Sequence, residues 1–133
     1  MEVSQVRIIV AGGRDFSDYD MLEREVTEII NSTARIYDPY DEVVIVSGHC
    51  RGADMMGEQF ASSHFVPIRR FPADWDKHGK SAGYIRNRQM AEYASESDSI
   101  GILVAFWDWK SKGTKSMIDL GLQYLKEVHV IKY

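Results

Sequence analysis

The chain has 133 residues, a length typical of one domain with a sizeable core. A hydrophobic content of 44% with 27% charged residues, and no run of about 18 apolar residues, exclude a disordered or membrane-spanning chain. The net charge of −4 argues against nonspecific nucleic-acid binding, and the one cysteine, Cys50, excludes an intrachain disulfide. Since the first residues do not resemble a signal peptide, we expect a single cytoplasmic domain, 1–133, with no membrane partner.

The first third of the chain predicts a strand, a glycine turn and a helix. Val6–Ala11 is short and β-branched, as in a buried strand, and Gly12–Asp15 ends it. Ser17 and Asp20 resemble a capping box. The helix that follows is predicted by apolar residues at helical spacing, namely Leu22, Val26, Ile29 and Ile30. The polar segment Asn31–Glu42 contains Asp38-Pro39 and predicts a connecting loop.

The middle of the chain repeats this order. Val43–Val46 is a second apolar strand, and after a polar turn the spacing of Ala53, Met56 and Phe60 predicts a helix with its methionines in the core. Phe65–Phe71 is a third short strand. Pro67 within it cannot donate to a sheet ladder, which indicates a strand at the sheet edge.

The last third begins with Pro72–Ala82, a loop rich in charged and aromatic residues. Gly83–Ala94 is a predicted helix with Arg86 in its first turn, where a cation opposes the helix dipole unless an anion is bound. Ile100–Phe106 predicts a central strand, and Val128–Ile131 a final edge strand. The helix between them is predicted by the spacing of Met117, Leu120, Gly121 and Tyr124. Five strands alternating with four helices indicate an α/β, Rossmann-like three-layer fold with a mainly parallel sheet and helices on both faces.

The unusual residues follow strands and precede helices. They lie in four turns: Gly12–Asp15, Gly48–Asp54, Trp75–Arg86 and Asp108–Thr114. In an open parallel sheet such turns meet at the C-terminal edge, where the strand order reverses and ligands bind. Helix N-termini and nearby cations favour a phosphate or pyrophosphate there. The cationic candidates are Arg14, Arg51, Arg86, Lys112 and Lys115, and residues 69–115 carry nine Lys and Arg against six Asp and Glu.

The predicted ligand-binding residues come from these turns. They are Gly12, Gly13, Arg14, Ser47, Gly48, Arg51, Gly52, Asp54, Trp75, Arg86, Asn87, Gly113 and Thr114. Trp75, Trp107 and Trp109 are candidates for stacking a base. Three structural alternatives remain open: small residues that only shape turns, chance clustering of surface charge, and a surface arginine at position 86.

Other chemistries fit the sequence less well. Gly12-Gly13-Arg14 lacks the spacing of a dinucleotide fingerprint, and no GxxxxGK[ST] motif is present. Ser47 lacks a GxSxG context, and the adjacent His49 and Cys50 point apart, which argues against nucleophilic catalysis. The other histidines have no metal-ligand spacing, so we expect neither a metal nor a cofactor; they are His64, His78 and His129.

Five ordered motifs together resemble the YspA/YpsA-related branch of the SLOG superfamily. They are Gly12-Gly13-Arg14-Asp15-Phe16, Ser47-Gly48 with Arg51-Gly52-Ala53-Asp54, Phe71-Pro72-Ala73-Asp74-Trp75, Ala82-Gly83 with Arg86-Asn87 and Met90, and Gly113-Thr114 with Met117. The resemblance runs from Val6 to about Leu122. It implies a Rossmann-like sheet that recognises nucleotides or nucleotide-derived ligands, in a superfamily that includes the Lonely Guy phosphoribohydrolases and the single-strand DNA-binding protein DprA. It also suggests a homo-oligomer, with Trp107 or Trp109 at the interface.

The resemblance to the phosphoribohydrolases is incomplete. Their arginine four residues before a methionine matches Arg86 and Met90, but the glutamate of their PGGxGTxxE motif is Met117 here. A methionine cannot move a proton or stabilise an oxocarbenium ion. Asp119 would face another side of the helix, which leaves Asp54, Asp74 or Asp108 as substitutes where geometry allows.

We therefore expect a domain that senses or sequesters a nucleotide-derived small molecule. The alternative is an N-glycoside hydrolase acting on a nucleoside monophosphate or an ADP-ribose-like substrate, with Arg86, Asp54 and Asp74 as catalytic candidates. A third alternative, single-strand DNA binding, is disfavoured by the acidic charge.

Overall fold

The computed structural model describes residues 3–133, so Met1 and Glu2 lie outside the described part of the predicted domain. The described residues form one sheet of five strands: β1 (Gln5–Gly12), β2 (Glu42–Ser47), β3 (Ile68–Arg70), β4 (Ser99–Trp107) and β5 (Glu127–Lys132). The helices are α1 (Tyr19–Ile36), α2 (Ala53–Ser63), α3 (Trp75–His78), α4 (Ala82–Ala94) and α5 (Lys112–Tyr124), with a 3₁₀ turn at Gly79–Ser81. All strand pairs are parallel, which confirms the predicted α/β class.

The helices form one layer on each face of the sheet. On β1, Val6, Ile8 and Val10 pack in one core cluster, whereas Ile9 and Ala11 pack in the other. The first cluster includes buried side chains of α1 and α2, and the second those of α4 and α5. This three-layer, Rossmann-like arrangement is the predicted one.

The strand order β3-β2-β1-β4-β5 places the reversal of the chain between β1 and β4. From β1 the chain proceeds outward to β3, and then crosses to β4 on the other side of β1. β3 and β5 are the edge strands, as predicted, and β4 is an interior strand. In open parallel sheets the crevice at such a reversal is the usual ligand site.

Two predicted loops are partly helical. The prediction of a loop at Asn31–Glu42 is wrong in its first part, because α1 continues to Ile36. Thr33 in this part is buried, and its hydroxyl is hydrogen-bonded to the Tyr40 hydroxyl at 2.9 Å. The segment Pro72–Ala82 contains α3, which begins where the carboxylate of Asp74 accepts from the Lys77 amide. A single turn has no apolar periodicity, so the pattern could not reveal it.

Smaller differences concern the element ends. The N-cap of α1 is Asp18, whose carboxylate accepts from the Met21 amide at 3.0 Å, and not Ser17. β3 is confined to Ile68–Arg70, since Phe65 has a positive φ of 57° that extended backbone does not allow. Met55 on α2 is 41% exposed and is not core. Among residues 3–133, no helix is both long and apolar enough to cross a membrane.

Candidate functional site

One cleft lies at the C-terminal edge of the sheet, at the reversal between β1 and β4, and has a volume of about 750 Å³. The turns after β1, β2 and β4 and the segment before α4 all contribute to its lining, as the sequence predicts. Ten of the thirteen predicted ligand-binding residues line it: Gly12, Gly13, Arg14, Arg51, Asp54, Trp75, Arg86, Asn87, Gly113 and Thr114.

The other three predicted residues lie behind the lining. Ser47 is fully buried, and its hydroxyl donates to Glu58 at 2.8 Å. A Cβ on Gly48 would lie 2.6 Å from Arg86 Nη1, and one on Gly52 would lie 2.7 Å from the Cα of Arg14. The two glycines therefore allow the close approach of the cleft residues, and ligand contact by Ser47, Gly48 or Gly52 stays a prediction.

Arg86 on α4 is the buried cation of the cleft, with 8% of its surface exposed. Its Nη1 donates to the Gly48 carbonyl at 2.5 Å and its Nε donates to Asn87 Oδ1 at 3.0 Å. It is the fifth residue of α4 and thus lies in the second turn, so the predicted conflict with the first turn of the helix is wrong. Hydrogen bonds to Gly48 and to the adjacent Asn87, and not the helix dipole, hold this side chain in place.

Asp54 in the first turn of α2 is the buried carboxylate of the cleft, with 6% of its surface exposed. Burial raises its pKa to about 6, although Arg86, the Cys50 amide and Arg14 all favour the charged form. Its Oδ2 accepts from that amide at 3.3 Å. A carboxyl group with this pKa can give or take a proton near neutral pH.

Glu58, one turn further along α2, holds the turn after β2 in place through hydrogen bonds. It is buried and accepts from Ser47 Oγ, His49 Nδ1 at 2.7 Å and Arg70 Nε at 2.7 Å. Burial alone would raise its pKa, but these three hydrogen bonds outweigh burial and lower it. Glu58 was not among the residues predicted from the sequence. Its spacing of four residues from Asp54 is the signal that it shares that helix face.

The turns after β1 and β2 are bonded to each other. The Ala53 amide donates to the Gly13 carbonyl at 3.3 Å, and the Gly13 amide donates to the Phe106 carbonyl at 3.2 Å. Asp15, a lining residue that was not predicted, accepts from the Tyr133 hydroxyl at 2.5 Å. This bonding fixes the backbones from which the exposed Arg14 and Arg51 extend into the cleft.

The wall formed by α5 contains few of the predicted cations and aromatics. Ser111 caps this helix by accepting from the Thr114 amide at 3.3 Å, and Met117 lines the cleft. The remaining candidates of this region lie outside the lining: Lys112, Lys115, which pairs with Asp119 at 3.0 Å, and Trp107 and Trp109, which pack edge to face at 4.3 Å.

Three further residues of the lining are Trp75, Tyr84 and Lys80. Trp75 on α3 is 48% exposed, and Tyr84 on α4, which was not predicted, is 50% exposed. Lys80 of the 3₁₀ turn adds a cation. Asp74, a predicted catalytic candidate, is outside the lining because its carboxylate caps α3, and Asp108 likewise caps the turn before α5. The site thus combines cations, one buried carboxyl group and two half-exposed aromatic rings.

Comparison with known proteins agrees with the sequence resemblance. A family model described as YAcAr, the YspA, cpYpsA-related SLOG family, matches residues 6–78. The Gene 61 protein of Mycobacterium phage D29 is 27% identical over 114 residues, which is 82% of each chain. No solved structure matches. The motifs on α4 and α5 lie beyond the family match. Since that match covers more than half of the sequence, the chain belongs to the YspA, cpYpsA-related SLOG family.

Proposed function

We propose that this protein binds a nucleotide-derived small molecule in the cleft, as a sensor or sequestering domain. The observation that carries the proposal is the gathering of Arg14, Arg51, Lys80 and Arg86 around one cleft at the reversal of the sheet. The planar guanidinium groups of the arginines and the N-terminus of α5 suit a phosphate. The volume of about 750 Å³ lies within the usual range of small-molecule sites, about 300–1,000 Å³.

The half-exposed aromatic rings support a nucleotide base as the other part of the ligand. Trp75 and Tyr84 both line the cleft and both leave about half of their surface open to solvent. Stacking of a base on an aromatic side chain contributes about 1–3 kcal/mol and tolerates any base, since every base has a π face. Trp107 and Trp109 have no part in this proposal because they pack against each other outside the lining.

Binding without cleavage is favoured by Met117. This residue lines the cleft on α5, where the resemblance to the phosphoribohydrolases calls for a glutamate. A thioether neither transfers a proton nor carries the negative charge that would stabilise an oxocarbenium ion. The wall that faces Arg86 from α5 therefore offers shape but no acid or base.

Isothermal titration calorimetry tests the binding proposal with mononucleotides, cyclic nucleotides, NAD and ADP-ribose variants. We expect at least one to bind with micromolar or tighter affinity, and Arg86→Gln to weaken it at least tenfold. Arg24→Gln removes an exposed cation of α1 that lies outside the cleft, and serves as the matched control. No heat with any compound would overturn the proposal.

A second candidate function, N-glycoside hydrolysis, is favoured by Asp54. This buried carboxyl group lines the cleft beside Arg86, and its pKa of about 6 suits a general acid or base. The hydrolase would release a free base from a nucleoside monophosphate or an ADP-ribose-like compound. Chromatography of the reaction mixture tests it: release by the wild type that Asp54→Asn abolishes supports hydrolysis, and no release excludes it for the compounds used.

A further inference from the structure

The three arginines of the cleft lie in two sets. Arg14 and Arg51 belong to the turns after β1 and β2, which are in contact through the Ala53–Gly13 hydrogen bond and the packing of Gly52 on Arg14. Among residues 3–133 neither arginine takes part in a salt bridge. Both side chains are exposed, and their charges are available to a ligand.

Arg86, on α4, forms the second set. Its Nε and Nη1 are used by Asn87 and Gly48, and these bonds hold the buried guanidinium group in one position. A planar group fixed at two nitrogens still presents its other N–H donors in a defined direction. Arg86 therefore provides one preorganised anion position.

Asp54 lies close to both sets. It lies within electrostatic range of both Arg86 and Arg14, and its Oδ2 accepts from the Cys50 amide in the turn that also contains Arg51. A phosphate placed directly against the ionised Asp54 would be repelled. Anions are therefore favoured at the arginines and disfavoured directly against this carboxyl group.

The charge of the lining agrees with two anionic groups. Four cationic side chains face two carboxylates, Asp15 and Asp54, which gives a net charge of +2 when both carboxylates are ionised. The volume of about 750 Å³ is in the upper part of the usual range, so a ligand longer than a mononucleotide has room.

From this arrangement we infer that the ligand carries two phosphoryl groups, one bound by Arg86 and the other by Arg14 and Arg51. The substrate class is a nucleoside diphosphate or a pyrophosphate-linked nucleotide. This inference rests on the proposed function, since it specifies the ligand of the same cleft.

A comparison of the affinities of two simple anions tests the inference, and the base of the ligand need not be known. Calorimetry compares inorganic pyrophosphate with inorganic orthophosphate at pH 7.5, with divalent metals removed. We expect pyrophosphate to bind wild-type protein at least tenfold more tightly. The double variant Arg14→Gln/Arg51→Gln is expected to reduce this ratio to about twofold, because it weakens pyrophosphate more than orthophosphate, which occupies the Arg86 position.

Two controls make the result specific. The double variant Arg24→Gln/Arg35→Gln removes the same charge from the exposed face of α1 and should keep the wild-type ratio. Arg86→Gln should weaken the binding of both anions. If loss of the buried cation unfolds this variant, Arg86→Lys, which keeps the charge, takes its place in the measurement.

The possible failures are distinguishable. The two-phosphate inference is overturned if the wild type binds pyrophosphate and orthophosphate about equally. It is also overturned if the Arg14→Gln/Arg51→Gln variant keeps the wild-type ratio of the two affinities. In both cases the proposal of nucleotide binding stands. Absence of binding by both anions also overturns the two-phosphate inference. Absence of binding by the anions and by every nucleotide in the calorimetric panel overturns the proposed function as well.

Discussion

The inner and outer parts of the cleft are built differently. Arg86, Asp54 and Glu58 are buried and hydrogen-bonded to backbone or to other side chains. Arg14 and Arg51 on the rim are exposed and, among the described residues, take part in no salt bridge. Buried charges need partners to offset their loss of hydration, whereas exposed charges do not. Changes to the inner part should therefore alter folding and binding together, and changes to the rim should alter binding alone.

The largest effect on folding is expected for Glu58→Ala. Its removal leaves the buried Ser47 hydroxyl with only the longer bond to the Asp54 carbonyl, at 3.3 Å, and removes the partner of both His49 and Arg70. We expect the free energy of unfolding to fall by about 3 kcal/mol, as for other buried hydrogen-bonded charges. Urea denaturation measures this change. Glu28→Ala on the exposed face of α1 is the control, and an equal effect of the two substitutions would show that the buried network contributes nothing.

Asp54→Asn should raise the free energy of unfolding, by somewhat less than Glu58→Ala lowers it. The size of the increase depends on pH. Because the pKa of Asp54 is raised in the folded state to about 6, its ionisation disfavours folding. The stability associated with the protonated group is present below its ordinary pKa and is lost as the pH rises through about 6. An asparagine has no such loss and can still accept from the Cys50 amide.

Thermal or urea unfolding between pH 3.5 and 8 measures the Asp54→Asn difference. We expect the variant to be more stable than the wild type by about 2 kcal/mol above pH 7, and equally stable near pH 3.5. A difference that is the same at both ends of this range would contradict an ionised, desolvated Asp54. Asp119→Asn, at an exposed position on α5, should show no comparable pH dependence.

Gly48→Ala should have the next largest effect, because it displaces the inner arginine without removing it. The added Cβ would lie 2.6 Å from Arg86 Nη1 and 2.8 Å from Asp54 Oδ2. We expect a loss of stability of about 1–2 kcal/mol from overpacking, together with weaker nucleotide binding. Calorimetry and urea denaturation of the same sample measure both.

Gly113→Ala is the matched glycine control for stability. Nothing lies within 4 Å of a Cβ at this position on α5. Since glycine is destabilising inside a helix by about 0.5–1 kcal/mol relative to alanine, this variant should equal or exceed the wild type in stability. If both glycine substitutions are equally harmless, Gly48 does not limit the position of Arg86.

The sequence predicts the fold better than it predicts the inner part of the site. Apolar periodicity is a property of every strand and long helix, so the order of elements and the convergence of the turns could be predicted from it. Hydrogen bonds between distant elements leave no such local signal. The hydrogen bond that holds Arg86, to the Gly48 carbonyl 38 residues away, is one of these. Arg86 was assigned to the first helical turn because the helix was predicted to begin at Gly83, one residue after its actual start.

Short and polar features were missed for a related reason. α3 is a single turn capped by Asp74, and the last turn of α1 contains the polar Thr33 on its buried face. Glu58 is a charged residue in a helix, a pattern more typical of a solvated surface. Lys112 and Lys115 were placed in the site because they follow β4, but they are exposed residues outside the lining.

The smallest effect on stability is expected at the rim, and it separates the two parts of the cleft most clearly. Arg14→Gln/Arg51→Gln removes two exposed charges without salt bridges among residues 3–133, so the free energy of unfolding should change by less than about 0.5 kcal/mol. Ligand affinity, measured at about 0.05 and about 0.5 M NaCl, should fall more steeply with salt in the wild type than in the variant, because exposed charges are screened and buried ones much less so. Equal salt dependence would mean that the rim arginines do not attract the ligand and that Arg86 alone provides the attraction.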